Sequence, residues 1–304
     1  MRLVFAGTPL AAVPTLRRLA ADHDVAAVIT RPDAPLGRKR VLTPSPVAQA
    51  AAELGLAVLK TARLDDQATT RIAALEAELG VIVAYGGLVR EPLLSTPAHG
   101  WINLHFSLLP AWRGAAPVQR ALIAGDPQLG ASVFQLVPAL DAGDVFASRT
   151  VAVGADATAD AALETLAVDG AELTAEVVAG IAAGTAKAVP QVGEPTIAAK
   201  LTLDDGRLDW SEPLERVYAR YRGVTPEPGA HTSIGGIRVK VLEAAPSTAQ
   251  RLAPGEIAAA KTAVLIGTGT GPLAVTRVQP AGKGPMNAVD WWRGQRTEGL
   301  RAGA

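Results

Sequence analysis

Arg2-Leu3-Val4-Phe5-Ala6-Gly7-Thr8-Pro9 is the stretch from which the rest of the chain is read. Its short apolar run suits a strand buried on both faces, and it is too short and too soon broken, at Gly7 and Pro9, to be an export signal. A helical pattern rich in Ala and Leu follows at Ala11–Ala21, and a second apolar run at Val25–Thr30 completes a βαβ unit. The alternation continues outward. Strands are expected at Leu56–Leu59, Val81–Ala84 and Trp101–His105, with helices at Pro46–Leu54 and Asp66–Glu78. This is the pattern of an α/β domain around a mostly parallel sheet.

Past Ala115 the reading gives a helix at Pro117–Ala124 and two β-rich runs, Ala131–Val137 and Val145–Val153, flanking the turn Asp141-Ala142-Gly143-Asp144. Thr158 and Asp160 mark the start of a long helix that Gly184 stops, closing a first domain of residues 1–184. Residues 185–203 read as a linker, with Pro190, Gly193 and Pro195 and no clear periodicity. From 204 to 304 short β-prone runs at Ile237–Leu242, Ala263–Thr268 and Leu273–Val278 suggest a small β-barrel.

Composition narrows the function. At 304 residues, with 49% apolar and 19% charged residues, the chain can bury two cores. Its 29 Lys+Arg balance 29 Asp+Glu, which argues against a protein that coats nucleic acid or anionic membrane with its whole surface. The balance is uneven along the chain: residues 201–304 hold 13 basic and 10 acidic side chains, so the last third is mildly positive. No cysteine occurs, which removes thiolate nucleophiles, disulfides and cysteine-held metals. His23, His99 and His231 show no metal-ligand spacing, and no metal is expected. The Ala/Val-rich stretch 162–183 is interrupted by Glu164, Asp169, Glu172 and Glu176 and cannot span a bilayer. A cytoplasmic protein, acting as a monomer, is expected.

Asn103-Leu104-His105 carries the strongest chemical signal. On a strand of period two, Asn103 and His105 point to one face at the carboxyl edge, where α/β sheets place ligands. Asp141 follows the next long β-rich run, which puts it near the same edge, where a carboxylate raises an imidazole pKa and fixes its tautomer. Without a nucleophile, such a trio suits direct attack of an amine on an acyl donor, Asn103 and protonated His105 holding the oxyanion. The plainer readings are a strand end with satisfied polar groups and an Asp that begins a turn. The following loop, Ser107-Leu108-Leu109-Pro110-Ala111-Trp112-Arg113-Gly114-Ala115-Ala116-Pro117, is apolar and stiff enough to wall a flat heterocycle. Gly267-Thr268-Gly269-Thr270-Gly271 lies between β-like runs and reads as a turn; Trp291-Trp292-Arg293 reads as a tail closing the barrel.

Taken together, Asn103-X-His105, the Ser107–Pro117 run and Leu140-Asp141-Ala142-Gly143-Asp144 resemble the signature of the folate-dependent formyltransferases. The likeness extends from Phe5-Ala6-Gly7-Thr8-Pro9 through the basic loop Arg31–Pro46 to Lys200, Asp204–Trp210 and Arg222–Ala230, nearly the whole chain. It implies a Rossmann-like formyltransferase domain followed by an OB-like barrel, and transfer of formyl from 10-formyltetrahydrofolate to methionyl initiator tRNA. It implies Asn103, His105 and Asp141 as the catalytic set. The pterin site is expected at Ser107, Leu108, Leu109 and Pro110 with the backbone of Tyr85, Gly86 and Leu88. Arg38, Lys39 and Arg40 are expected to meet the tRNA, with the barrel. Ala11, Arg90 and Ile197 depart from residues common in the family, an aromatic, a Pro and a Tyr. Two alternatives stand beside this reading: a formyltransferase acting on a small amine, and an RNA-binding protein without activity.

Overall fold

The computed structural model describes residues 1–37, 39–295 and 299–303. The chain divides into two compact units, Met1–Pro117 with Gln128–Ala152 and Leu163–Ala198, and Val118–Pro127 with Val153–Ala162 and Ala199–Ala304.

The first unit is built on a seven-stranded sheet: β1 (Arg2–Gly7), β2 (Asp24–Thr30), β3 (Val58–Lys60), β4 (Leu79–Val83), β5 (Trp101–His105), β6 (Leu129–Gln135) and β7 (Val145–Val151). Their spatial order is β7-β6-β5-β4-β1-β2-β3. The five strands from β3 to β5 run parallel, and β6 and β7 add antiparallel ladders at one side. Parallel strands bury both faces, which explains why β1 has no polar alternation: Leu3, Val4, Phe5 and Ala6 are all fully buried. One face packs Val4, Ala6, Ile29, Ile82, Tyr85 and Trp101 together. On the other face Leu104 meets Gly170 of the helix Ala159–Ala182, where an added Cβ would lie 2.9 Å from the Leu104 side chain. The strand order reverses between β1 and β4, the switch point at which such sheets open a crevice at their carboxyl ends.

The expected elements appear with shifted ends. The helix expected to run to Glu78 stops at Ala73, and Glu76 then takes a left-handed conformation, φ 52°. The helix expected from Ala11 begins with one 3₁₀ turn, Leu10–Ala12, and becomes regular at Val13–Asp22, with Pro14 in its first turn where a missing N–H costs nothing. Within the basic loop, Ala34–Leu36 and Val41–Thr43 pair as a short hairpin, too short to show a period.

In the second unit five antiparallel strands, His231–Ile234, Ile237–Pro246, Pro272–Pro280, Val264–Gly267 and Ile257–Ala259 in spatial order, form a curled, barrel-like sheet, with Met286–Asn287 added on Pro272–Pro280. Its core holds Trp210, Tyr221, Val241, Ile266, Leu273, Val275 and Trp291. Trp291 sits on the short helix Ala288–Arg293 and is buried, so the tryptophan pair closes the barrel as expected. Gly267–Gly271 is a turn: the Thr268 N–H donates to the Gly271 carbonyl at 3.0 Å, and the Thr270 hydroxyl accepts from Leu214 N at 3.0 Å where the helix Leu214–Gly223 begins.

Candidate active site

Strand β5 sets the site. Asn103 pairs with Ile82 of β4 and Phe134 of β6, and His105 pairs with Ser132, so both side chains share one face with Phe134. The His105 ring meets the Phe134 ring edge-on, centroids 6.4 Å apart at 87°. His105 is 6% exposed. Its Nε2 lies 2.8 Å from the Trp112 carbonyl, an acceptor that requires Nε2 to carry the proton. Nδ1 is left facing Asp141 Oδ2 at 3.8 Å, beyond direct hydrogen-bond length. The Oδ1 of Asn103 is buried and has no hydrogen-bond partner among the described residues.

Asp141 reaches this place for a different reason from the one expected. Strand β6 runs antiparallel to β5, so it ends with Gln135 beside Ile102, at the opposite end of β5 from His105. The chain turns straight back. Gln135 N donates to Asp144 O at 2.8 Å, and Gly143 presses so closely on the Gln135 carbonyl that a Cβ there would sit 1.7 Å from the oxygen. The return brings Asp141, in a left-handed conformation of φ 44°, to His105, and its Oδ2 accepts the Gly114 N–H at 2.8 Å. Trp112, φ 62°, and Ala84, φ 46°, are also left-handed. Three such non-glycine residues on the loops after β4, β5 and β6 mark local strain held by the surrounding structure.

The electrostatics also depart from expectation. Burial pushes the His105 pKa below its ordinary value, although Asp141 and the Trp112 carbonyl both act to raise it. The tautomer is set by Trp112, not by Asp141. A depressed folded pKa favours protonation of the unfolded chain, so this histidine contributes stability that is complete above pH ~6.5 and shrinks as pH falls below it. His105→Gln should therefore lose less stability than the parent between pH 7 and pH 5, measured as urea midpoints at each pH. Equal losses in the two proteins would contradict the shift.

The remaining expected residues divide. The Ser107 hydroxyl donates to Ala111 O at 2.6 Å, and the Ser107 carbonyl accepts from the Ser132 hydroxyl at 2.7 Å, so Ser107 shapes the loop. Leu108 lies over Gly130, where an added Cβ would be 2.5 Å from its Cδ2, so that side chain is committed to packing. Leu109 and Pro110 are half-buried on the loop surface. The Tyr85 ring is buried in the core, leaving its backbone, which accepts the Thr8 hydroxyl at 3.0 Å, and the exposed Gly86 and Leu88 at the crevice. Lys39 and Arg40 are exposed on the hairpin among the exposed apolar residues Leu36, Val41 and Leu42. Arg38 lies outside the described residues.

One group of residues was missed. Gln191, in the segment read as a linker, donates from Nε2 to the carbonyls of Asp141 at 2.8 Å and Gly143 at 2.9 Å. The segment carries no periodicity, and an isolated polar residue in it gives no sequence signal.

The sheet edge thus brings together an orphaned amide oxygen, a buried imidazole and a carboxylate, a set of groups that suits group transfer. The chain belongs to the formyl transferase family: residues 1–178 match the formyl transferase domain and residues 200–296 its C-terminal domain. It is 62% identical to the methionyl-tRNA formyltransferase of Clavibacter sepedonicus over 99% of this chain and 100% of that one. It is 58% identical to the methionyl-tRNA formyltransferase of Leifsonia xyli subsp. xyli (strain CTCB07) over 99% of each chain. Among solved structures, HypX from Aquifex aeolicus in complex with tetrahydrofolic acid matches 98% of this chain and 48% of its own with a TM-score of 0.65; at 19% identity this likeness concerns the fold.

Proposed function

We infer that the chain transfers the formyl group of 10-formyltetrahydrofolate to the α-amino group of methionyl initiator tRNA, releasing formylmethionyl-tRNA and tetrahydrofolate in the cytoplasm. Full-length identity to proteins of that activity supports the reaction, and the observation that carries the site is the unpartnered Oδ1 of Asn103 beside His105. A buried acceptor without a donor carries a desolvation penalty, which an N–H of the incoming amine would relieve. The amine nitrogen bonds to the formyl carbon, the carbon–N10 bond breaks, and the proton lost by the amine is balanced by the one gained at N10. The ring position free for that proton is His105 Nδ1, because Nε2 is committed to Trp112. The imidazolium so formed, stabilised by Asp141, and the Asn103 amide N–H group stabilise the oxyanion.

Residues 1–184 serve as the folate-binding catalytic domain and 204–304 as a tRNA-binding domain, while the connecting stretch 185–203 belongs to the first unit as far as Ala198. The pterin is held by the backbone of Tyr85, Gly86 and Leu88 and by the Ser107–Pro110 loop, through Leu109, Pro110 and main chain, since the Leu108 side chain packs on Gly130. Formyl transfer assayed side by side on charged initiator tRNA, charged elongator tRNA and free methionine tests the reading. Transfer to all three at one rate would refute it. Arg38, Lys39 and Arg40 meet the tRNA backbone: Lys39 and Arg40 are exposed and enter no ion pair among the described residues. Lys39→Ala with Arg40→Ala should flatten the log–log slope of tRNA affinity against salt by roughly 0.7–0.9 per lost phosphate contact, with folate binding unchanged. An unchanged slope would remove the hairpin from the tRNA interface.

A further inference from the structure

Two loops form the site, and both are fastened by one later segment. Trp112 N donates to the Thr196 hydroxyl at 2.8 Å, Arg113 N to the Thr196 carbonyl at 2.8 Å, and Ala115 N to the Ala198 carbonyl at 2.9 Å, which ties the loop after β5. Val189 and Val145 exchange both backbone hydrogen bonds, 2.8 and 3.0 Å, beyond the loop after β6. Between these anchors sits Gln191. Its Nε2 spends both hydrogens on the carbonyls of Asp141 and Gly143, and its Oε1 accepts from Arg113 Nε at 3.1 Å and Nη2 at 2.6 Å. One amide therefore joins the loop that carries Asp141 to the loop whose Trp112 carbonyl holds His105.

Asp141 needs such a fastening. It occupies a left-handed backbone conformation that is unfavourable for a residue with a side chain, and no regular ladder holds its carbonyl. The two donated hydrogen bonds close the return turn on either side of Ala142. The third bond, Gly114 N to the Asp141 carboxylate, then aims that carboxylate at His105.

We propose that Gln191 is a positioning residue for formyl transfer: by bridging Arg113 to the Asp141 and Gly143 carbonyls it holds the Asp141 carboxylate at its working distance from His105. This rests on the catalytic roles given to Asp141 and His105 above. Only a side chain that accepts from a guanidinium at one atom and donates twice from the other fits. A glutamate keeps the shape and the Arg113 contact but turns an oxygen toward two carbonyl oxygens.

The test compares the full-length parent with Gln191→Glu, Gln191→Met and Asp141→Asn. Displacing a reacting group by about 1 Å costs up to ~10²-fold, so both Gln191 variants should lose ~10–10² in kcat while KM for folate and for charged tRNA stays within twofold. The histidine NMR titration supplies a readout apart from activity. The groups facing His105 are the Asp141 carboxylate, the Trp112 carbonyl and the Phe134 ring edge, and of these Asp141 carries the charge. In Gln191→Met, with no new charge, the His105 titration should move to lower pH as the carboxylate drifts away. Should the Met variant fail to fold, the Glu variant, which keeps the Arg113 contact, carries the kinetic test. If Asp141→Asn is inactive while Gln191→Glu retains kcat within threefold, or if KM rises as much as kcat falls, the positioning role is overturned. If Asp141→Asn is itself fully active, the reading of the catalytic site fails instead.

Discussion

Asn103→Ala, His105→Ala and Asp141→Ala should each lower the single-turnover rate of formyl transfer by ~10²–10³, the usual cost of losing one group that meets developing charge. The fold should survive. Asn103 leaves an unpartnered oxygen buried, so its removal relieves a desolvation penalty. His105→Ala gives up the hydrogen bond to Trp112 and an edge-on contact with Phe134, a loss of ~1–2 kcal/mol relative to the parent. Near-parental melting with a collapsed rate is therefore the expected pattern, read by calorimetry and by rapid quench with excess enzyme. Rates within a few-fold of the parent for all three would remove the trio from the chemistry.

The second large effect is on stability, at Gly143. A Cβ there would stand 1.7 Å from the Gln135 carbonyl, a contact with backbone that no rotamer change relieves. Gly143→Ala must push the return turn away from β6, breaking the bond between Gln135 N and Asp144 O and displacing Asp141. Overpacking typically costs ~1–3 kcal/mol, and a contact with backbone belongs at the upper end, so the variant should melt well below the parent and be nearly inactive. Gly154 is the control. An added Cβ there meets nothing within 4 Å, so Gly154→Ala should melt within a degree or two of the parent. Equal melting of the two variants would show that the turn yields without cost.

Much of this site could be read from the sequence because it rests on local rules. Period two along Trp101–His105 gave Asn103 and His105 one face, and the strand is where the alternation placed it. Asp141 lies in the neighbourhood that its place after a long β-rich run implies, but the direction of that strand is not the reason. Strand direction is a non-local property, and β6 runs the other way; proximity is restored by the turn at Gly143, whose tightness shows in the packing and not in the residue type. The sign of the His105 shift was missed for a related reason: spacing can suggest a carboxylate partner, but desolvation depends on everything that covers the ring. Helix Leu214–Gly223 and strand Ile257–Ala259 were missed because one is rich in charged residues and the other is three residues long.

The fastening of the site by residues 189–198 also bears on when the site comes into being. Gln191 meets a carbonyl 50 positions earlier and Thr196 a backbone N–H 84 positions earlier, and both residues lie C-terminal to every strand of the sheet. Contacts of such separation pay their closure entropy before they return any stability, and they form late. During synthesis the seven strands all leave the ribosome before Gln191 does. A nascent chain at that stage holds every strand of the sheet but an Asp141 carbonyl without its partner. The arrangement around Asp141 is thereby deferred until the last stretch of the first unit has been made and laid down.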